Sequence, residues 1–169
     1  MTLRLALCLL PLLFTGSAEV LQGVTHRAIT LEPGERRTFR IPQLEKVTAS
    51  SGRCIEEGMD SEEPDTLFVS GACSGVRTAL AWRRDGVRIH VMACAEDEKR
   101  PAALLSLRKV VQGELKAWRS ATACVRNGRV ELWGWVKSPE ELRQVAALEA
   151  KYGTERVRNN VELAELEEP

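Results

Sequence analysis

The residues of this chain best suited to chemistry are its cysteines. The sequence holds five cysteines in 169 residues, and four of them lie beyond the first 18 positions: Cys54, Cys73, Cys94 and Cys124. Cysteine thiols form disulfides in an oxidising compartment, ligate metals, or exchange with other thiols. Which of these applies depends on the compartment to which the chain is delivered.

The N-terminus has the three regions of a secretory signal peptide. Arg4 provides a positive charge, residues 5–14 form an apolar run, and residues 16–18 form a cleavage site of small residues. We therefore predict that residues 1–18 are a signal peptide and that the protein is exported to the periplasm. In that compartment an even number of cysteines favours disulfide bonds.

Four cysteines allow three disulfide connectivities. Cys54 and Cys73 flank a predicted hairpin whose acidic turn, residues 60–65, lies near their midpoint. A symmetric antiparallel register places these two cysteines opposite each other. We therefore predict the bond Cys54–Cys73 and, from the remaining pair, Cys94–Cys124. Free buried thiols are the alternative, because cysteine is readily buried.

No arrangement of catalytic residues accompanies the cysteines in the sequence. His26 and His90 could add metal ligands, but no CxxC or HxxxH spacing supports a metal site. A thiol–disulfide enzyme would need a resolving cysteine nearby, and neither histidine belongs to a triad pattern. We therefore predict a protein without enzymatic activity, metal or cofactor, in which His90 is exposed on a strand.

A hairpin and a capped helix form the best-marked part of the chain. Asn127-Gly128 supplies two residues that tolerate positive φ between β-rich arms. Ser138 is a suitable N-cap with Glu141 three residues later, and Gly153 suits the position after the last helical turn. These signals predict strand, turn, strand and helix in that order.

The whole chain divides into two modules. Residues 26–94 show short strands separated by turns, residues 95–100 are charged and predicted to be a linker, and residues 101–164 follow the order α-β-β-α-β. We therefore predict an α+β fold class, with a small, mostly-β N-terminal module before the α-β-β-α-β domain. The pair Cys94–Cys124 would then tie the two modules together.

The tryptophans offer a second kind of candidate site. Trp133 and Trp135 flank Gly134 on one predicted strand, so their side chains point to the same face of the sheet. They could form an aromatic platform for a partner or a glycan, but we favour packing beneath a helix, since large aromatics mostly serve packing. Gly134 would leave the opposite face open to close approach by a helix. Trp82 is predicted to lie in the core of the first module.

Charge is balanced, with 24 Lys+Arg and 24 Asp+Glu residues. The chain therefore has no excess of positive charge that would indicate binding to nucleic acid or to an anionic membrane surface. The hydrophobic content of 44% is compatible with a packed core. These values predict a globular protein that does not bind nucleic acid.

The second module resembles a BON domain. The matching segments are Gly-Arg-Val-Glu-Leu-Trp-Gly-Trp-Val at 128–136 and Val-Arg-Asn-Asn-Val at 157–161. The first is similar to the family's strand with a central glycine, here Gly134, and the second is similar to its closing strand. The resemblance implies a BON-like arrangement of the α-β-β-α-β domain.

The first module resembles the N-terminal region of pilus-formation secretins. The similarity covers Leu-Glu-Pro-Gly-Glu at 31–35, Leu-Phe-Val-Ser-Gly at 67–71, and the segment from Gly75 to Trp82, followed by Gly86 and a closing strand. Secretins of the Flp/Tad pilus type carry such a module and then a BON domain before their pore-forming region. Within these 169 residues we expect no pore-forming region, and the four cysteines beyond the predicted signal peptide have no counterpart in the family pattern.

Together the two resemblances imply an exported, non-enzymatic binding or assembly module, similar to the periplasmic part of a Flp/Tad-type pilus or type II-like secretion secretin. The expected partner is a protein, such as a secretin or a pilus-assembly component, and a homo-oligomer and envelope contact are compatible with it. Edge strands at 87–92 and 156–163 are the expected interfaces, since an open edge can add a partner's strand. The alternative is a free-standing BON protein that binds the cell envelope through phospholipid or peptidoglycan.

Overall fold

The computed structural model of the protein describes residues 18–48 and 53–164. The predicted signal peptide falls outside these ranges at residues 1–17. Within them the chain is mixed α/β and mostly β, with three small sheets and two α-helices. Neither of these helices is long and apolar enough to cross a membrane.

The elements after residue 101 follow the predicted order α-β-β-α-β, with a short 3-10 turn after the first helix. In chain order the elements are β1 (Glu19–Val20), β2 (His26–Leu31), β3 (Arg36–Arg40), β4 (Leu44–Thr48), β5 (Ile55–Met59), β6 (Thr66–Gly71), β7 (Gly75–Arg83), β8 (Arg88–Ala95), α1 (Ala102–Glu114), β9 (Ala121–Arg126), β10 (Arg129–Val136), α2 (Pro139–Tyr152) and β11 (Val157–Leu163).

The N-terminal half is a sandwich of two four-stranded sheets. The outer sheet has the strand order β1-β3-β6-β5, and the middle sheet has the order β2-β8-β7-β4. Apolar side chains from both sheets meet in one core, where Phe39, Leu67, Ile29, Ile89 and Val91 are all at most 2% exposed. Removing this apolar surface from water is the main force that holds the two sheets together. Because β1 pairs with β3, the sandwich starts before the predicted boundary at residue 26.

The middle sheet contains a parallel pair that joins distant parts of the chain. His26 of β2 lies opposite His90 of β8, and Leu31 lies opposite Ala95. β8 therefore has β2 on one side and β7 on the other. The prediction of an open edge at residues 87–92 is wrong, because the long-range pairing with β2 covers that edge.

The third sheet, with the order β11-β10-β9, carries both helices on one face. Its hairpin turns at Asn127 and Gly128, which have φ angles of 52° and 71°. Ser138 Oγ accepts the N–H of Glu141 at 3.2 Å, and Gly153 ends α2 with a φ of 91°. The predicted hairpin and capped helix are thus confirmed. α2 leads from β10 to β11, which pair in parallel.

The three sheets and the helices stack in four layers, and the side chains that alternate along β2 and β8 show which layer lies on each face. On β2 and β8, Ile29 and Ile89 point into the sandwich core, whereas His26, His90 and Met92 have the opposite parity and face the third sheet. The third sheet therefore packs on the middle sheet with the face opposite its helices. This contact of β2 and β8 with β9 and β10 is called the seam below.

Candidate functional site

Three rings meet in the seam. The rings of His26 and His90 are stacked, with centroids 4.8 Å apart. Trp135 of β10 meets both rings edge-on, with centroid distances of 5.0 Å to His26 and 6.0 Å to His90. His90 is half-buried, so the prediction of an exposed His90 is wrong. Apolar and polar residues alternate along β8 as predicted. The third sheet covers the polar face of β8, however, which the alternation alone would predict to face solvent.

Both tryptophans of β10 lie on the face directed at the middle sheet. Trp135 contacts the two histidines, and Trp133 lines the same surface cleft as Met92 of β8. Leu132 and Val136, which have the opposite parity, pack beneath the helices instead. The two tryptophans share a face as predicted, but the predicted packing beneath a helix is wrong, because another sheet occupies that side.

A disulfide crosses the seam. Cys94 of β8 and Cys124 of β9 are bonded with their Cα atoms 6.3 Å apart, and both residues are 0% exposed. Beside this bond, Thr30 Oγ1 lies 2.8 Å from Thr122 Oγ1 and donates to the carbonyl of Ala123 at 2.8 Å. The disulfide joins the two modules as the positions of the cysteines predict, and hydrogen bonds that the sequence did not predict add to it.

Glu96 connects the two modules through a buried carboxylate and is 1% exposed. Its Oε1 accepts the N–H of Val125 at 3.0 Å and lies 3.1 Å from Arg108 Nε, while Arg100 binds Oε2. A carboxylate is tolerated inside a protein only when opposite charges and hydrogen bonds replace its water. Residues 95–100, predicted as a linker, therefore contribute a specific polar contact to the junction.

A second buried carboxylate orients Trp133. Glu131 on β10 is 4% exposed. It accepts hydrogen bonds from Arg126 Nη1, Asn127 Nδ2 and Trp133 Nε1, each at 3.0 Å. The indole N–H of Trp133 therefore has a buried acceptor, and the same side chain lines the point where the seam opens to solvent.

The seam opens beside Trp133 into a surface cleft. The cleft has a volume of about 640 Å³, which lies within the range typical of ligand sites. Its walls include Ile55 of β5, Val76 of β7, Met92 of β8 and Trp133 of β10, with Arg53 at the rim. Residues from both modules line this cleft, so its shape depends on the seam.

The cleft combines an apolar floor with positive charge at the rim. Arg53 is exposed, and among the described residues no carboxylate lies within ion-pair distance of it. Arg77 also lines the cleft and pairs with Glu57 at 3.3 Å. Such a surface suits a ligand that presents an apolar group next to a carboxylate.

The second disulfide borders the cleft. Cys54 and Cys73 are bonded with their Cα atoms 4.5 Å apart, the pair that the symmetric hairpin register predicts. Cys54 lines the cleft and Cys73 is exposed. The presence of two disulfides fits an oxidising, exported compartment.

Three glycines of the quoted family motifs, Gly75, Gly86 and Gly134, have separate structural roles. A Cβ at Gly75 would lie 3.3 Å from the Cβ of Cys54, so this glycine lets β7 pass close to the disulfide. Gly86 has a φ of 85° in the turn between β7 and β8. A Cβ at Gly134 would lie 2.0 Å from the carbonyl oxygen of Ser120. The close approach predicted at Gly134 therefore exists, but the backbone before β9 makes it and not a helix.

Trp82 lies on the surface of the middle sheet. Its ring is flanked by Lys46 and Arg88, whose charged groups are 4.7 Å and 4.5 Å from the ring centroid. Its Nε1 donates to Thr48 Oγ1 at 3.3 Å. Trp82 has the same strand parity as Leu80, which lies opposite His90 and thus faces away from the sandwich core. The prediction of a core position for Trp82 is wrong for this reason.

The described residues contain no group of three or more His, Cys, Asp and Glu side chains that could hold a metal ion. No family model matches this chain, and neither a curated protein nor a solved structure matches it. A functional proposal consequently depends on the geometry of the seam, the cleft and the open strand edges, and on the sequence resemblances.

Proposed function

We propose that this protein is an exported, periplasmic, non-enzymatic binding or assembly module of a Flp/Tad-type pilus or type II-like secretion system. The observation that carries the proposal is the seam, where Cys94–Cys124 and the buried Glu96 join the two modules. Two modules joined in this way present their surfaces in a constant arrangement, which lowers the entropy cost of binding a partner. The order of a mostly-β module followed by α-β-β-α-β supports the resemblance to a secretin N-terminal region and a BON domain.

The surface proposed for the partner is the outer edge of β11. This strand pairs only with β10 in the described sheet and ends at Leu163, which is 43% exposed. An open edge can accept an extended segment of another protein as an additional strand. Asn159 Oδ1 accepts the N–H of Val161 at 3.0 Å, which occupies a backbone donor of β11 and restricts the registers available to a partner. The partner is a secretin or another pilus-assembly component.

Binding to an immobilised periplasmic fragment of a secretin tests this proposal. We expect the fragment to bind, and Leu163→Asp to weaken binding at least about tenfold, on the order of 1.4 kcal/mol, because it places a charge in the contact. Val110→Asp is the matched control, since Val110 is a 53% exposed valine on α1, and it should leave binding unchanged. Absence of binding at tens of micromolar contradicts the proposal, as does an equal loss in both variants.

Envelope binding by a free-standing BON-like protein is the second candidate function. The observation that favours it is Trp82 between Lys46 and Arg88, because an indole flanked by cations suits anionic headgroups and the polar surface of a glycan. Co-sedimentation with anionic phospholipid vesicles and with purified peptidoglycan tests it. Under this function the protein sediments with one of them and Trp82→Ala reduces the bound fraction; a protein that stays in the supernatant excludes it.

A further inference from the structure

The chain carries an acidic loop whose chemistry complements the cleft. The loop connects β5 and β6 at residues 60–65 and presents Glu62 and Glu63 as exposed side chains. Met59, directly before it, is 42% exposed. The loop therefore offers an apolar side chain next to carboxylates, which is the combination that suits an apolar cleft with Arg53 at its rim.

The acidic loop is held in one conformation by Asp60. Asp60 Oδ1 accepts the N–H of Glu62 at 3.0 Å, and Arg36 Nη2 donates to Oδ2 at 3.0 Å. The hydrogen bond from the Glu62 backbone, together with Arg36, keeps the pKa of Asp60 below its ordinary value. A loop that is already ordered loses less conformational entropy when it binds.

The cleft and the acidic loop lie at opposite ends of β5. Ile55 starts the strand and lines the cleft, whereas Met59 ends the strand and leads into the loop. The extended strand separates these two residues by about 13 Å. Because β5 is paired along its length with β6, the loop cannot fold back into the cleft of the same molecule. A contact between loop and cleft therefore requires two molecules.

We propose that the cleft binds the acidic loop of a second copy of this chain. Met59 of one copy inserts beside Trp133 of the next, while Glu62 and Glu63 pair with Arg53 at the rim. The two surfaces of this contact differ, so a pair of copies keeps one free cleft on one copy and one free loop on the other. Such a head-to-tail contact repeats into a ring when its rotation closes and into a filament when it does not.

This inference goes beyond the partner proposed for β11, because it concerns the protein alone and uses a different surface. Purified protein can fail to self-associate while the secretin fragment still binds at β11, and the reverse result is equally possible. The two tests therefore separate the two proposals.

Analytical ultracentrifugation of the purified protein over a range of concentrations provides the first measurement. We expect the mean mass to rise with concentration beyond that of a dimer, and to fall when salt is raised to about 1 M, since salt screens exposed charges. Arg53→Glu and the double variant Glu62→Lys/Glu63→Lys should each weaken association at least about tenfold. Arg84→Glu and Glu45→Lys/Glu98→Lys are the matched controls, with the same charge changes at exposed positions elsewhere.

Mixing the two defective variants provides the decisive measurement. Arg53→Glu retains an intact loop and Glu62→Lys/Glu63→Lys retains an intact cleft, so the two variants should pair. The remaining cleft and loop then carry reversed but again complementary charges, so an equimolar mixture should regain association beyond the dimer, whereas each variant alone should not. A mixture that stays monomeric overturns the inference. It is also overturned if the unmodified protein remains a monomer at all concentrations, or if the control variants lose association to the same extent.

Discussion

The carbonyl oxygen of Ser120 lies 2.0 Å from the point that a Cβ of residue 134 would occupy. Gly134 also has a φ of 129°, a conformation that other residues rarely adopt. Strain and steric overlap act together, so we expect Gly134→Ala to lower the free energy of unfolding by about 3 kcal/mol or more. Urea denaturation followed by circular dichroism measures this change.

Gly113→Ala is the matched control for that substitution. Gly113 lies inside α1, and a Cβ there would have no neighbour within 4 Å. Alanine is favoured over glycine in a helix, so this variant should gain about 0.5–1 kcal/mol. Similar effects of the two substitutions would contradict the close approach of the Ser120 backbone.

Glu96→Gln should destabilise the junction between the modules. The amide can still accept the N–H of Val125, but Arg100 and Arg108 lose their shared anion in a site where their side chains are only 18% and 17% exposed. We expect the free energy of unfolding to fall by about 2–3 kcal/mol. This is less than the loss typical of a fully buried ion pair, because both arginines retain some contact with water.

Glu98→Gln provides the comparison within the same charged segment. Glu98 is exposed, so its neutralisation should change the stability by no more than about 0.5 kcal/mol. Urea denaturation of both variants, with the disulfides intact, measures the difference. Equal stabilities would show that the Glu96 carboxylate has no structural role.

The two disulfides should differ in their rate of reduction. Cys73 is exposed, whereas Cys94 and Cys124 are both 0% exposed. A thiolate must reach a sulfur atom to attack it, so dithiothreitol should open Cys54–Cys73 first in the folded protein, and Cys94–Cys124 only after local or global unfolding. Timed alkylation and peptide mass mapping give both rates. Faster labelling of Cys94 and Cys124 would rule out the burial described for the seam.

The ion cluster between the ends of α1 and α2 predicts a pH dependence. Hydrogen bonds from Tyr152 and then from Lys151 hold the pKa of Glu114 below its ordinary value of 4.5. A lowered carboxyl pKa in the folded state stabilises the fold above pH 4.5, and this contribution is lost as the pH falls through the lower folded value. We expect Tyr152→Phe to raise the pKa of Glu114 more than Lys151→Met does.

A carbon-detected NMR titration of the Glu114 carboxyl group measures this pKa in the three proteins. The cluster is on the surface, so the accompanying change in stability should be small. A pKa of Glu114 that is the same in Tyr152→Phe and in the unmodified protein would contradict the hydrogen bond.

Local signals predicted the parts of the fold that neighbouring residues determine. Asn127-Gly128 and the Ser138–Glu141 cap need only a few adjacent residues, and both form as predicted. The parallel pairing of β2 with β8 could not be predicted in this way, because His26 and His90 are far apart in the chain and no local pattern links them.

For the candidate functional surfaces, too, the sequence predicted what neighbouring residues determine and missed what depends on contacts between distant residues. Alternation correctly predicted that Trp133 and Trp135 share a face, but which layer covers that face depends on how the modules pack. The burial of Glu96 had no local signal, because its charged neighbours resemble a solvated linker. Arg53 becomes part of a cleft only when β5, β7, β8 and β10 are brought together.

The Cys94–Cys124 bond has a consequence for how the protein matures. Its two sulfur atoms come from different modules and meet only when the middle and third sheets are in contact. An oxidised Cys94–Cys124 pair therefore shows that the two modules have packed together. A newly made chain whose two modules have not yet packed together keeps two accessible thiols, so the oxidation state of this pair distinguishes fully folded molecules from incompletely folded ones.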